Sequence, residues 1–273
     1  MKKNIILLPL VCSALLTACA TTTNSSMSGV ERKQFLMLSE AEVESMSSES
    51  YLSALKEASS KKALNTDSKE VTRVRNISNR LIAQTAVFRN DTNSWKWEVN
   101  VEESDQINAY CMPGGKIMVY TGLIDKLKAT DDELAAVIGH EIAHALREHG
   151  RERMSIAAVQ NGLLTGLGIV AATSKNGTVA TAGVGAAALG ANLLFSLPNS
   201  REQEREADRI GLELAARAGY NPNAAVTLWQ KMSAQSEGAP AEFLSTHPSN
   251  ENRISDLRSL IPNVMPLYQQ AKK

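Results

Sequence analysis

His140 and His144 stand four residues apart in the run His140-Glu141-Ile142-Ala143-His144. An α-helix repeats every ~3.6 residues, so two histidines at this spacing share a face and can grip one ion while Glu141 lies one position round. Paired imidazoles suit zinc and the carboxylate beside them suits a general base, so the chemistry implied is metal-assisted hydrolysis. Short patterns of this kind also arise by chance. Here only four histidines occur in 273 residues, and His140, His144 and His149 fall within ten positions.

The helix that must carry the pair is well specified, over a run from Thr130 to His149. Thr130 and Glu133 make a T-x-x-E capping box, and Leu134, Val137, Ile138 and Ile142 form an apolar stripe. Histidines beside such a stripe point inward, where an unpaired imidazole is costly. His149 matches no ligand spacing and is placed at the helix end, where a partial positive charge is favourable.

Upstream, Ser39 and Glu42 repeat the capping box and predict a helix towards Ala58. A second starts near Asp67, capped with Glu70, with Val71, Val74, Ile77, Leu81 and Ile82 on one side. Both are expected to cover the histidine helix. Trp95, Trp97, Val99 and Val101 alternate with polar residues, the period of a half-buried strand. Residues 107–112 and 116–120 are strand-like runs broken by Pro113-Gly114-Gly115, which reads as a hairpin. That hairpin either holds a substrate backbone by strand addition or is purely structural.

Residues 156–172 and 178–197 carry no charge. They could form a membrane hairpin, but their apolar content leans on Ala and Gly, so the drive to insert is small. The favoured reading is a helical hairpin packed over the site.

Residues 1–18 read as a leader: Lys2 and Lys3, an apolar run from Ile5 to Leu16, then Leu16-Thr17-Ala18-Cys19. The run is shorter than the ~20 residues of a membrane span. Its ending resembles the bacterial lipobox, which implies cleavage before Cys19 and a lipid on that cysteine; an ordinary signal peptide with a coincidental cysteine is the alternative. By the same resemblance, Ala20 after the cysteine favours the outer membrane. The Ser/Thr-rich residues 19–29 read as a flexible tether, 30–265 as one domain, and 266–273 as a tail. Without Lys2 and Lys3 the charges are 27 basic against 29 acidic, which gives no basis for a nucleic-acid partner. Cys12 leaves with the leader, so Cys111 stands without an internal disulfide partner.

Catalytic zinc takes three protein ligands and leaves a position to water, so the two histidines need a third. The best offer is the helix opening at Ser200, capped with Gln203, whose Glu204, Asp208, Gly211 and Ala215 share one side. Glu202 and Glu206 fall elsewhere and read as solvated charge.

H-E-x-x-H followed by Ser200-Arg201 through Glu204 to Ala207-Asp208 resembles the gluzincin metalloproteases of the HtpX, CAAX-protease and Oma type, among them the short envelope members of LoiP-like and BepA-like kind. Asn108-Ala109 with Pro113-Gly114-Gly115, and Thr246-His247-Pro248 through Arg253, are similar to two further motifs of that family. The resemblance implies a mainly α-helical α+β fold: a zincin-like metalloprotease domain with a small β-sheet or hairpin beside the catalytic helix. It also implies one Zn2+ per chain on His140, His144 and Glu204, with Glu141 as general base and Asp208 orienting a ligand histidine. His247 would approach the metal or the oxyanion, or else stabilise the turn before Pro248. Arg253 would stabilise the oxyanion or cap the last helix. The function implied is a zinc endopeptidase of the bacterial cell envelope acting on unfolded or misassembled proteins, lipid-anchored on the periplasmic face of the outer membrane. The alternative is a lipoprotein chaperone or assembly factor with little proteolysis.

Overall fold

The computed structural model of the chain describes residues 19–160, 198–235, 242–248 and 251–273. The leader 1–18 and most of the uncharged stretch 156–197 lie outside them. The elements run β1 (Cys19–Ala20), β2 (Gln34–Phe35), α1 (Glu40–Ser60), α2 (Ser68–Ile82), β3 (Glu98–Glu102), β4 (Ala109–Met112), β5 (Lys116–Tyr120), α3 (Thr121–Leu127) and α4 (Asp131–Leu146). A helix over residues 149–160, α5, follows. After it come α6 (Arg201–Arg217), α7 (Asn223–Gln235), α8 (Glu242–Thr246) and α9 (Glu251–Ala271). The fold is mainly helical with a three-stranded sheet beside the helices, as the zincin-like reading requires.

Capping chemistry sets the helix starts. Ser39 with Glu42, Thr130 with Glu133 and Ser200 with Gln203 each form a reciprocal capping box. Asp67 instead caps the Lys69 and Glu70 amides alone. Helix α4 is buried almost throughout, with Leu134, Ile138 and Ile142 fully enclosed, and it packs against α6, α7, α2 and β4. Helix α1 lies on the sheet, where the Tyr51 hydroxyl donates to the Ile117 carbonyl.

The sheet order is β3-β5-β4, with β3 parallel and β4 antiparallel to β5, so β4 is an edge strand. Strand β3 begins at Glu98 rather than Trp95, and Asn100 is buried as well as Val99 and Val101. Asn100 is enclosed because its amide donates to Tyr51 Oη and its Oδ1 accepts from Asn65, which covers the face that alternation had assigned to solvent. Gly114 and Gly115 both adopt positive φ, and a Cβ on Gly115 would stand 2.6 Å from the Trp97 ring, so the turn needs glycine there.

Helices α4 and α6 approach through a glycine contact. A Cβ on Gly211 would lie 2.8 Å from the His140 backbone nitrogen and 2.9 Å from its Cα. Backbone cannot yield as a flexible side chain does, so Gly211→Ala is expected to push α6 away from α4. The cost is about 1–3 kcal/mol, read as a lower denaturation midpoint, because the histidines and the acids of α6 part.

The Ser/Thr-rich segment lies against the body instead of standing off as a tether. Ser28 N and Ser26 Oγ donate to Glu213, Asn24 N donates to the Phe88 carbonyl, and β1 pairs with β2. At the other end, residues expected as a tail continue α9 to Ala271. Among the described residues no helix is long and apolar enough to cross a membrane.

Candidate active site

Four ligand atoms converge between α4, α6 and the segment after α8. His140 Nε2 lies 3.0 Å from His144 Nε2, 3.4 Å from Glu204 Oε2 and 3.3 Å from His247 Nδ1. Glu204 Oε1 lies 3.3 Å from His144 Nε2 and 3.0 Å from His247 Nδ1. All four residues are buried, and their ligand atoms sit within 4.8 Å of one another. A tetrahedron of ligands ~2.0–2.1 Å from a central zinc has edges of about 3.3 Å, so these spacings fit one zinc ion. His247, expected near the metal or the oxyanion, stands inside the ligand set itself.

Electrostatics agree with a cation at this point. Burial opposes charge on His140, yet Asp208 and Glu204 outweigh it and lift its pKa to about 9. Burial also works against the Glu204 carboxylate, but the surrounding histidines hold it well below the usual carboxylate range. His144 is pushed well below the ordinary histidine value, mainly by burial, and so stays neutral and ready to ligate.

Asp208 is buried on α6 with Oδ1 3.0 Å from His140 Nδ1. Arg253 from α9 donates to both Asp208 oxygens at 2.7 Å and to the Pro248 carbonyl, and Nη1 lies 2.7 Å from Glu204 Oε2. Its guanidinium rests 3.7 Å over the Trp229 ring. Arg253 therefore grips the two acids that flank His140 rather than capping α9.

Glu141 lies beside the ligand cluster. Its Oε1 is buried with no hydrogen-bond partner among the described residues, and the nearest histidine nitrogen, His247 Nε2, is 3.6 Å away. Burial raises its pKa, only partly countered by His247 and His140, so the group holds a proton more readily than an ordinary glutamate. It opens onto a cleft of about 370 Å³ bounded by β4, with His144, His247 and Arg153 also on the wall. The Asn108 and Met112 carbonyls bond inward to Tyr120 N and Gly115 N, so antiparallel alternation turns the Ala109 carbonyl and the Cys111 backbone groups to the open edge, while the Ala109 N–H donates to Asn108 Oδ1.

Two expectations are corrected. Glu206 is buried, not solvated: Arg32, Arg147 and His149 all contact it. Burial is outweighed there by those partners, and its pKa falls to about 2. His149 does not sit as a partial charge at the end of α4. The helix stops at Leu146, Glu148 turns the chain at φ 50°, and His149 opens α5 fully buried, with its pKa pushed down to about 4 by that burial. Neither was legible locally, because the groups that enclose them come from far along the chain, Arg32 onto Glu206 and Glu206 onto His149. Arg153, which no motif singled out, was missed as well: it reaches the cleft wall and donates to Asn199, 46 residues further along the chain.

The helix pair, its four convergent ligands and the neighbouring carboxylate define a zinc-peptidase type of site. The sequence profile of Peptidase family M48 matches residues 68–261, and the chain belongs to that family. It is 39% identical over 179 residues to the mitochondrial metalloendopeptidase OMA1 of Bos taurus, which covers 63% of this chain and 34% of that protein. The metalloprotease LoiP of Escherichia coli is 30% identical over 263 residues, 94% of this chain and 96% of that protein. The beta-barrel assembly-enhancing protease of Yersinia pestis is 30% identical over 71% of this chain and 39% of its own length. This chain spans about a third to a half of the length of the OMA1 relatives it matches, with 34% and 50% as the limits among four of them.

Proposed function

We propose that the chain is a zinc-dependent endopeptidase of the bacterial cell envelope that hydrolyses misfolded or misassembled envelope proteins. The observation that carries this is the buried carboxylate of Glu141, without a hydrogen-bond partner among the described residues, beside His140, His144 and Glu204 on the wall of a cleft. A site that only bound metal for structure would have no use for that carboxylate, which disfavours the chaperone reading. A zinc ion held by His140, His144 and Glu204 would supply electrophilic activation of the scissile carbonyl and of water. Glu141 takes the proton from the attacking water and passes it to the leaving amine. Asp208 orients His140, and Arg253 fixes Asp208 and Glu204 from behind. An extended substrate pairs with the open edge of β4, through Ala109 and Cys111. His247 either joins the ligand set, closing the site, or swings to the oxyanion when substrate arrives. Chelation is expected to abolish cleavage of unfolded casein and added zinc to restore it; cleavage that survives full zinc removal refutes the reading.

Residues 30–265 form the protease domain in this reading, and the mature protein starts at Cys19 with lipid on that cysteine, at the periplasmic face of the outer membrane. The lipobox ending of the leader and the match to LoiP over nearly its whole length support the short envelope form. Cys19→Ala is expected to move the protein from the membrane to the soluble fraction on cell fractionation, whereas retention would point to residues 156–197 as the attachment.

A further inference from the structure

His144 turns one ring nitrogen to the ligand cluster and the other away from it. Its Nδ1 lies 2.8 Å from Nδ1 of His149, and Nε2 of His149 lies 2.9 Å from Glu206 Oε2. Glu206 is an ionised carboxylate between Arg32 and Arg147, so it can only accept. His149 must therefore donate from Nε2, which leaves its Nδ1 with a lone pair. A neutral imidazole has one donor and one acceptor, so that lone pair accepts the Nδ1–H of His144. His144 then presents a lone pair at Nε2, the atom that belongs to the ligand cluster.

The two ligand histidines are thus supported differently. His140 faces the carboxylate of Asp208 directly at 3.0 Å. His144 faces a second imidazole, and the carboxylate that sets the polarity stands one ring further back. The kink at Glu148 makes this possible, because it ends α4 at Leu146 and brings His149 behind His144 instead of continuing the helix past it.

We propose that His149, backed by Glu206, is a positioning residue for the metal site, locking His144 in the tautomer and ring orientation that bind the ion. The inference rests on the metal reading given above. Arg32, from the segment between β1 and β2, bridges Glu206 and Glu152 and so ties the amino-terminal segment to this support.

The test uses the chain from residue 19 onwards. Zinc affinity is measured by competition with a chromophoric chelator, and the visible spectrum is recorded on the Co2+-loaded protein. His149→Phe removes the acceptor and is expected to weaken zinc binding roughly 10- to 100-fold and to shift the Co2+ bands. His149→Asn places a carbonyl oxygen near the former Nδ1 and is expected to recover most of the affinity. Glu206→Gln keeps the shape but no longer enforces the donor at His149, so it should move affinity and spectrum in the same direction as His149→Phe; it carries the test where the phenylalanine variant does not fold. Wild-type affinity together with unshifted Co2+ bands in the folded variants overturns the inference, since a purely structural role for His149 changes stability without altering the ligand field. A wild-type chain that binds neither ion overturns the metal reading, and this inference with it.

Discussion

Glu141→Gln is expected to keep the fold and the bound zinc and to lower cleavage of unfolded casein by at least about 10²–10⁴-fold, the range a positioned acid–base group contributes. The substitution is nearly isosteric, and Glu141 has no hydrogen bond from Oε1 to lose among the described residues. Metal binding should survive because the ligand atoms belong to His140, His144, Glu204 and His247. Activity should not, because an amide cannot take the proton of the attacking water. Elemental analysis, the thermal midpoint and the cleavage rate together make the comparison. Undiminished cleavage by a zinc-loaded, folded variant would end the peptidase assignment of this site.

Loss of the third ligand gives the second large effect. Glu204→Ala is expected to empty the site of zinc at a free metal concentration that saturates the wild type, a loss beyond the roughly 100-fold upper end seen for groups that only support a ligand. The fold should persist. Arg253 would be left buried, but its two bonds to Asp208 and its seat over Trp229 remain, so no unpaired charge is created. Glu202→Ala is the control: Glu202 is exposed, pairs with Arg205 on the surface, and should leave zinc content unchanged. Retention of zinc by Glu204→Ala, with loss in Glu202→Ala, would move the ligand to the other face of α6.

What could be read from the sequence was local in physical origin. Helix starts were legible because a capping box satisfies its own amides within four residues, as at Thr130 and Ser200. The histidine pair was legible because helical spacing alone puts two rings on one face. The hairpin followed from Pro113-Gly114-Gly115, where positive φ is needed. Burial of polar groups was not legible, because it depends on partners far along the chain. Glu206 looks like any surface glutamate until Arg32, 174 residues away, bonds to it. Asn100 looks solvent-facing until Tyr51 closes over it. The Ser/Thr-rich segment misled for the same reason: its composition suits a solvated linker, yet Thr23 meets Arg147 and Ser28 meets Glu213.

That segment bears on what an anchored protease could reach. The backbone pairs with β2 from Cys19 onward, and the following residues are fastened to the body at Asn24, Ser26 and Ser28. An acyl chain on Cys19 would leave the catalytic body almost no leash. The cleft would then ride at a fixed height over the lipid surface, and its prey would be polypeptide that protrudes close to the bilayer, such as a stalled or half-inserted chain, rather than protein diffusing freely at a distance.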